Sequence, residues 1–121
     1  MNIAIIGLGR VGSEFLKKMN TMKEKGVTIV AAAEKNDTEG KKAAIAAGIK
    51  IMSAEEIIHL KEKVDIIFDL AGDTKLRQEL RDHLMDTGNQ HTVLVPDVVA
   101  HLIWGLIGDK PLPGVHSHSG Y

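Results

Sequence analysis

Short apolar runs alternate with amphipathic stretches along most of this chain of 121 residues. The runs are rich in Ile, Val and Ala and are bounded by turn-forming residues, a pattern typical of strands buried on both faces. They predict strands at residues 3–6, 27–33, 49–52, 64–70 and 91–95. The stretches between them repeat apolar residues at helical spacing and predict helices at residues 11–25, 39–47, 53–60, 75–85 and 98–107.

Strands and helices that alternate through short turns predict an α/β fold, a doubly wound parallel sheet with helices on both faces. The expected strand order is 3-2-1-4-5, which puts a crevice outside the carboxyl ends of strands 1 and 4. We expect one domain over residues 1–108. Glycine and proline break the pattern from residue 108 onward, so residues 109–121 are expected to form an irregular tail.

Three glycines follow the first strand with the spacing G-x-G-x-x-G and precede a helical pattern. Gly7 permits a tight turn, Gly9 lets the backbone approach a pyrophosphate, and Gly12 allows close packing of the helix that follows. The amide groups at the start of that helix then face the loop and suit an anion. The predicted cofactor contacts in this loop are Gly7, Leu8, Gly9, Arg10, Val11 and Gly12. The alternative is a strand-turn-helix that binds nothing.

An acid follows the second strand at the distance expected of a dinucleotide site. Glu34 lies after the apolar run that ends at Ala33, about 20 residues beyond the glycines, where a carboxylate accepts hydrogen bonds from the adenosine ribose. This acid repels a 2′-phosphate, so NAD is favoured over NADP, although the adjacent Lys35 leaves NADP open. Arg10 either pairs with the pyrophosphate or points into water.

A second loop, at the end of the fourth predicted strand, is expected beside the glycine loop across the crevice. In such folds this loop lies beside the nicotinamide half of the cofactor. Ala71 and Gly72 are small enough for the backbone to approach a ligand, and Asp73 completes the predicted contacts. The alternative is a structural role, with Gly72 as a turn residue and Asp73 as a helix cap.

Composition excludes several classes of function. The chain is 44% hydrophobic and 26% charged with a formal net charge of −1, so no overall field attracts nucleic acid or an anionic membrane. It has no cysteine, which excludes disulfides and thiolate chemistry. No apolar run is long enough to cross a bilayer, and no signal peptide precedes the first strand. We therefore expect a cytoplasmic protein.

The last predicted helix is apolar around most of its circumference. Its apolar residues are Val98, Val99, Leu102, Ile103, Trp104, Leu106 and Ile107. A helix that covers one face of a sheet should keep a polar outer side, so this pattern predicts a homodimer through residues 98–107. The alternative is that the tail folds back over the helix.

The histidines give weaker signals. His116 and His118 are two ligands without a nearby third, which favours a solvated tail over a metal site. His91 and His101 are candidates for an acid or base near the nicotinamide, but spacing alone does not favour either.

Taken with the acid and the second loop, the glycine motif resembles the Rossmann-like NAD-binding domain of the homoserine/aspartate dehydrogenase and dihydrodipicolinate reductase type. The resemblance rests on residues 3–12, 30–36 and 64–74 and covers about the first 95 residues. It implies the cofactor half of an oxidoreductase. In those families a sheet-rich domain follows and supplies the substrate pocket, whereas this chain ends where that domain would begin.

Three functions are therefore open. The first is a dimeric dinucleotide-binding sensor, regulatory module or subunit, in which the cofactor shifts a conformational population. The second is an NAD-dependent oxidoreductase whose active site is completed by a partner chain. The third is a regulatory nucleotide-binding domain of the potassium-transport type, which shares the glycine motif and fits the second loop less well.

Overall fold

Four parallel strands form a sheet in the order β2-β1-β3-β4, with β1 in a central position. The structure is a computed structural model and describes residues 1–110. Its strands are β1 (Asn2–Ile6), β2 (Thr28–Ala33), β3 (Ile66–Asp69) and β4 (Val93–Pro96). Its helices are α1 (Arg10–Asn20), α2 (Glu39–Ala46), α3 (Ala54–Ile58), α4 (Thr74–Asp86) and α5 (Asp97–Ile107). This architecture confirms the predicted Rossmann-like class.

Both faces of β1 are buried, as its uninterrupted apolar sequence predicts. Ile3 and Ile5 face one side of the sheet, where they pack with Phe15 of α1 and Trp104 of α5. Ala4 and Ile6 face the other side, in a second core that also contains Ile57, Ile58, Ile67 and Leu80. Successive residues of a strand point to opposite faces, so one short run of apolar residues contributes to both cores.

The predicted third strand, residues 49–52, is wrong as a strand. Only Ile51 forms a parallel bridge, to Ala32 at the outer edge of β2. The Ile49 N–H is donated to the carbonyl of Ala44 at the end of α2, and Ser53 already caps α3. Too few residues remain between these two helix ends for a ladder. The bridge nevertheless keeps the predicted position in the strand order, outside β2.

Helix starts are predicted more closely than helix ends. The capping box that the sequence indicates at Ser53 and Glu56 is present, with hydrogen bonds in both directions. The first helix ends at Asn20 rather than residue 25, because the Thr21 and Met22 amides bond three residues back and the chain then forms a short 3-10 turn, Lys23–Lys25. Similarly, α3 gives way to a 3-10 turn at Lys61–Lys63.

Helix α5 has one face on the core and an opposite face that other described residues leave open. Ala100 and Trp104 are buried against the sheet, and the Trp104 indole donates to the carbonyl of Lys110. Val98, Leu102 and Leu106 are 60%, 66% and 79% exposed. These three residues, at positions i, i+4 and i+8, form what we call the α5 stripe. The expected apolar character of both faces of this helix is thus seen.

No helix among residues 1–110 combines the length and apolar character that crossing a bilayer requires.

Asp65 and His91 form a pair at the amino edge of the sheet, opposite the crevice. One oxygen of Asp65 accepts the Asn2 N–H at 2.7 Å, and the other lies 2.5 Å from Nε2 of His91. The hydrogen bond from Asn2, followed by that from His91, lowers the pKa of Asp65 below its ordinary value. A carboxylate whose pKa is lower in the folded state stabilises the fold above its unfolded pKa, and this contribution is lost as the pH falls through the folded value.

We therefore expect Asp65→Asn to lower the free energy of unfolding at pH 7 and to matter less in acid. Urea unfolding of both proteins at pH 7 and near pH 3 should show the difference shrinking at the lower pH, below the ordinary carboxyl pKa of about 4. Asp86→Asn, an exposed change at the end of α4, should show no such convergence. A difference between Asp65→Asn and the unsubstituted protein that is equal at both pH values would contradict the assignment.

Candidate functional site

The glycine loop between β1 and α1 is folded tightly on itself. Gly7 has φ +97°, a conformation that L side chains rarely adopt, and a Cβ there would lie 2.6 Å from the backbone nitrogen of Ala71. A Cβ at Gly12 would lie 1.8 Å from the carbonyl oxygen of Gly7. The first glycine thus brings the loop against the end of β3, and the third seats α1 on the loop.

The middle glycine differs from the other two because its surroundings are open. Gly9 caps α1 in an extended conformation, and apart from its chain neighbours a Cβ built there would meet none of the described residues within 4 Å. Arg10 and Val11 begin the helix behind it, and its first turn contains no acidic residue. Leu8 is fully buried, and its backbone N–H and carbonyl are already paired with Glu34 and Ser13. The arrangement leaves amide donors facing open space, as an anion site requires.

Glu34 lies against the glycine loop, although 26 residues separate it from Leu8. One carboxylate oxygen accepts the Leu8 N–H at 2.7 Å, and the other accepts the Asn36 N–H at 2.9 Å. The carboxylate is therefore fixed at the junction of the loop and the end of β2. The neighbouring Lys35 is exposed.

A cavity of about 650 Å³ opens at the carboxyl ends of β1, β2 and β3. This volume is within the range of small-molecule and cofactor sites. Predicted contacts that line it are Gly7, Gly9, Glu34, Lys35, Ala71 and Asp73. Leu8, Val11, Gly12 and Gly72 do not line it, and Arg10 lines a smaller cavity of about 420 Å³ on the other side of Gly9. The cavity thus occupies the switch point of the sheet, where dinucleotides bind in such folds.

Asp73 caps α4 as well as lining the cavity. Its carboxylate accepts the Lys75 and Leu76 N–H groups, at 3.0 Å and 3.2 Å. Gly72 has φ +70° and turns the chain into that cap. The structural role considered for these two residues is therefore present, alongside a position at the cavity.

Several lining residues are missed by sequence reasoning. They are Ile6, Ala33, Asn36, Thr38, Ile51, Met52, Ser53, Ala54, Leu70 and Leu76. Half of them belong to the loops after β2 and before α3, which have no ligand motif of their own. Only the position of these loops along the chain indicates a ligand site, because the loops that follow parallel strands meet at one edge of a sheet.

Gly40 is a further residue that sequence reasoning missed, and it holds α2 against the glycine loop. A Cβ there would lie 1.9 Å from Oγ of Ser13 and 2.7 Å from the carbonyl oxygen of Leu8. The same Ser13 hydroxyl donates to that carbonyl at 2.9 Å. A glycine inside a helix costs stability unless close packing requires it. Gly40, within an otherwise Ala-rich helix, therefore indicates a close contact at this position.

We expect Gly40→Ala to lower the free energy of unfolding by about 1–3 kcal/mol, the usual cost of overpacking. Urea unfolding measures this cost, and Ser13→Ala supplies the test of its cause. The nearest conflicting atom, Oγ of Ser13, is absent in Gly40→Ala/Ser13→Ala. The double variant should therefore lose less unfolding free energy than the sum of the losses in the two single variants. Strict additivity would show that the contact with Ser13 is not responsible.

Beside the second loop, a partly buried ion network joins three elements. Asp69 ends β3 with no exposed surface, and its Oδ2 accepts Nε of Arg77 at 2.8 Å. Nη2 of Arg77 lies 3.5 Å from the Asp69 carbonyl oxygen and 3.5 Å from Oδ1 of Asp97, the first residue of α5. The hydrogen bond to Asp69 raises the pKa of Arg77, so the guanidinium stays charged. This network was not anticipated from the sequence.

The two candidate histidines lie in different regions. His91 pairs with Asp65 at the amino edge of the sheet, so its candidacy as an acid or base at the nicotinamide side is wrong. His101 lies within α5. Among residues 1–110, no group of three or more His, Cys, Asp or Glu side chains is placed to hold a metal ion. His116 and His118 lie outside the described residues.

A glycine loop, a fixed acid and a cavity at the sheet's switch point together define a dinucleotide-binding α/β domain. The sequence profile described as "Homoserine dehydrogenase, NAD binding domain" matches residues 7–100. The chain belongs to this family. Its cofactor is accordingly a nicotinamide dinucleotide, and the family description names NAD.

Solved structures show the same fold. A homoserine dehydrogenase from S. aureus is 17% identical, with a TM-score of 0.61 over 90% of this chain and 30% of its own. One from Thiobacillus denitrificans is 24% identical, with a TM-score of 0.57 over 87% of this chain and 25% of its own. A putative NADP oxidoreductase from Bacteroides fragilis is 16% identical, with a TM-score of 0.57 over 78% of this chain and 35% of its own.

This chain therefore spans about a third or less of the length of these proteins. A comparison with curated protein sequences found no match.

Proposed function

We propose that this protein is a dimeric dinucleotide-binding sensor or regulatory module. The pyrophosphate lies before the first turn of α1, over Gly9, Arg10 and Val11. Glu34 and Lys35 flank the adenosine ribose, and the loop of Ala71, Gly72 and Asp73 faces the cofactor across the crevice. Residues 1–108 form the binding domain, residues 109–121 form the tail, and the protein acts in the cytoplasm.

One observation carries the binding role: the carboxylates that line the cavity are fixed by backbone donors. Glu34 is held by two amides and Asp73 by two others. A general acid or base must exchange a proton with a substrate in the site. Carboxylates committed to backbone amides are instead suited to recognition, because they present acceptors at set positions.

The alternative, an NAD-dependent oxidoreductase completed by a partner chain, draws support from the family to which the domain belongs. It requires an acid or base other than Glu34 and Asp73. We rank it second because these two carboxylates, which line the cavity, already have structural partners.

The fixed acid also supports a preference for NAD. A 2′-phosphate on the ribose would approach the Glu34 carboxylate, and two negative charges repel each other at that distance. Calorimetric titration of both cofactors is expected to show tighter binding of NAD. Tighter binding of NADP would mean that Lys35 outweighs the acid.

The α5 stripe supports the dimer, with a second copy of the chain as its occupant. Its three large apolar side chains follow one line along a helix of 11 residues, about 16 Å in length. Gly105 lies on the exposed side between Leu102 and Leu106, and no other element among residues 1–110 lies within 4 Å of the position of its Cβ. A second helix can approach closely at such a position, and a line of this kind pairs with its own copy about a two-fold axis.

We expect Leu102→Glu to convert the dimer to monomers, because the carboxylate would be buried in an apolar interface. Sedimentation equilibrium measures the change. Ile45→Glu is the matched control, since Ile45 is a 58% exposed apolar residue on α2, outside the stripe. It should leave the dimer intact.

The sensor role is tested by repeating the sedimentation experiment with NAD. If NAD binds the dimer and the monomer with different affinities, it must change the dimerisation constant, since binding and assembly are linked. A dimer constant that NAD does not change would refute the sensor role. If the unsubstituted protein sediments as a monomer, the proposed interface is refuted. That result would favour the alternative, in which the tail folds back over the α5 stripe.

A further inference from the structure

An unbalanced negative charge lies at the carboxyl ends of β3 and β4. Two carboxylates, Asp69 and Asp97, share the single guanidinium of Arg77. Arg77 is committed to Asp69, which it contacts at 2.8 Å, and reaches Asp97 only at 3.5 Å. One negative charge is therefore left over, and the geometry assigns most of it to Asp97.

The position of Asp97 follows from the sheet. Asp69 and Pro96 are paired in register at the carboxyl ends of β3 and β4, so the residue after Pro96 begins α5 at the crevice edge. Glu34 marks the adenosine half on the β2 side, and the start of α1 marks the pyrophosphate. The nicotinamide half then lies on the opposite side of β1, over the ends of β3 and β4.

Asp97 is partly shielded from water, because only 28% of its side chain is exposed. Water screens an exposed charge strongly and a partly buried one less. Arg10, the cationic residue of the glycine loop, is exposed and lines the smaller cavity on the other side of Gly9.

We propose that Asp97 makes this site discriminate between the redox states of its cofactor, in favour of the oxidised form. This inference rests on the proposed dinucleotide site but not on the dimer. The oxidised nicotinamide ring carries a positive charge and the reduced ring is neutral, while the two cofactors are otherwise nearly identical. A carboxylate near the ring therefore attracts one form and not the other, and a sensor with this property reports redox state as well as cofactor concentration.

The test is calorimetric titration of the full chain with NAD⁺, NADH and ADP-ribose, which lacks the nicotinamide. We expect NAD⁺ to bind about two- to tenfold more tightly than NADH, the range expected of one partly screened charge. In Asp97→Asn the ratio of the two affinities should fall towards one. Asparagine retains an oxygen for Arg77, so this change removes the charge with little change of shape. Asp86→Asn removes a carboxylate from the far end of α4 and should leave the ratio unchanged.

A second measurement needs no variant. If charge sets the preference, the ratio of NAD⁺ to NADH affinities in the unsubstituted protein should decline as salt rises from 0.05 to 0.5 M, roughly a threefold shortening of the screening length. A ratio that neither salt nor Asp97→Asn alters, or tighter binding of NADH, would overturn the inference alone. Failure of all three ligands to bind would overturn the proposed function and the inference with it.

Discussion

Gly9→Val is expected to remove most dinucleotide binding while leaving the fold intact. The Cβ of residue 9 points into open space, so the folded protein accepts the larger side chain without a clash. That same space adjoins the first amides of α1, where the pyrophosphate is proposed to lie. We expect at least about a hundredfold loss of NAD affinity, which corresponds to roughly 3 kcal/mol of charge-assisted hydrogen bonds.

Calorimetry with NAD measures the loss, and urea unfolding shows that the fold is retained. Gly9→Ala provides a graded control, because a single methyl group should reduce the affinity less than a valine side chain. Loss of stability comparable to the loss of binding would show that the two effects are not separate. An unchanged NAD affinity in Gly9→Val would remove the pyrophosphate from this loop.

The glycine loop was predictable because its constraints are local. Gly7 and Gly12 are required by backbone atoms a few residues away, or by the end of a strand that the sequence also predicts. Spacing alone therefore carries the information. The position of Glu34 was predictable for a similar reason, since it follows the strand that pairs with β1.

Contacts between elements distant in the chain were not predictable in this way. Gly40 is constrained by Ser13, and Arg77 by Asp97, so the reason for each residue lies in another element. No local pattern distinguishes Arg77 from the other charged residues of α4. The sequence also could not show which apolar residues of α5 face outward, because that depends on Trp104 packing against the sheet.

His91 illustrates information that was present but not used. It lies at the start of the predicted fifth strand, and the crevice of a parallel sheet lies at the opposite, carboxyl ends. Its place in the chain was thus enough to put it at the far edge, where it pairs with Asp65. The position of Asp97, directly after the same strand, indicated the crevice by the same rule.

Gly12→Ala is expected to have the largest effect on stability of the single substitutions considered. The new Cβ would lie 1.8 Å from the carbonyl oxygen of Gly7 and 2.8 Å from its carbonyl carbon, and both atoms belong to the backbone. Gly7 cannot move freely, since its N–H is donated to the carbonyl of Ala33 at 2.9 Å. Either α1 or the loop must shift, and we expect a loss of at least about 3 kcal/mol of unfolding free energy.

In the Leu102→Glu background, which removes the proposed dimer, Gly105→Ala is the matched control for Gly12→Ala, because it makes the same change inside a helix where no other element among residues 1–110 lies within 4 Å of the new Cβ. It should be neutral or stabilising by up to about 1 kcal/mol, the difference in helix propensity between the two residues. Urea unfolding of both variants therefore separates packing from propensity. Equal stability of Gly12→Ala and Gly105→Ala would mean that α1 is not seated on the Gly7 carbonyl as the structure describes.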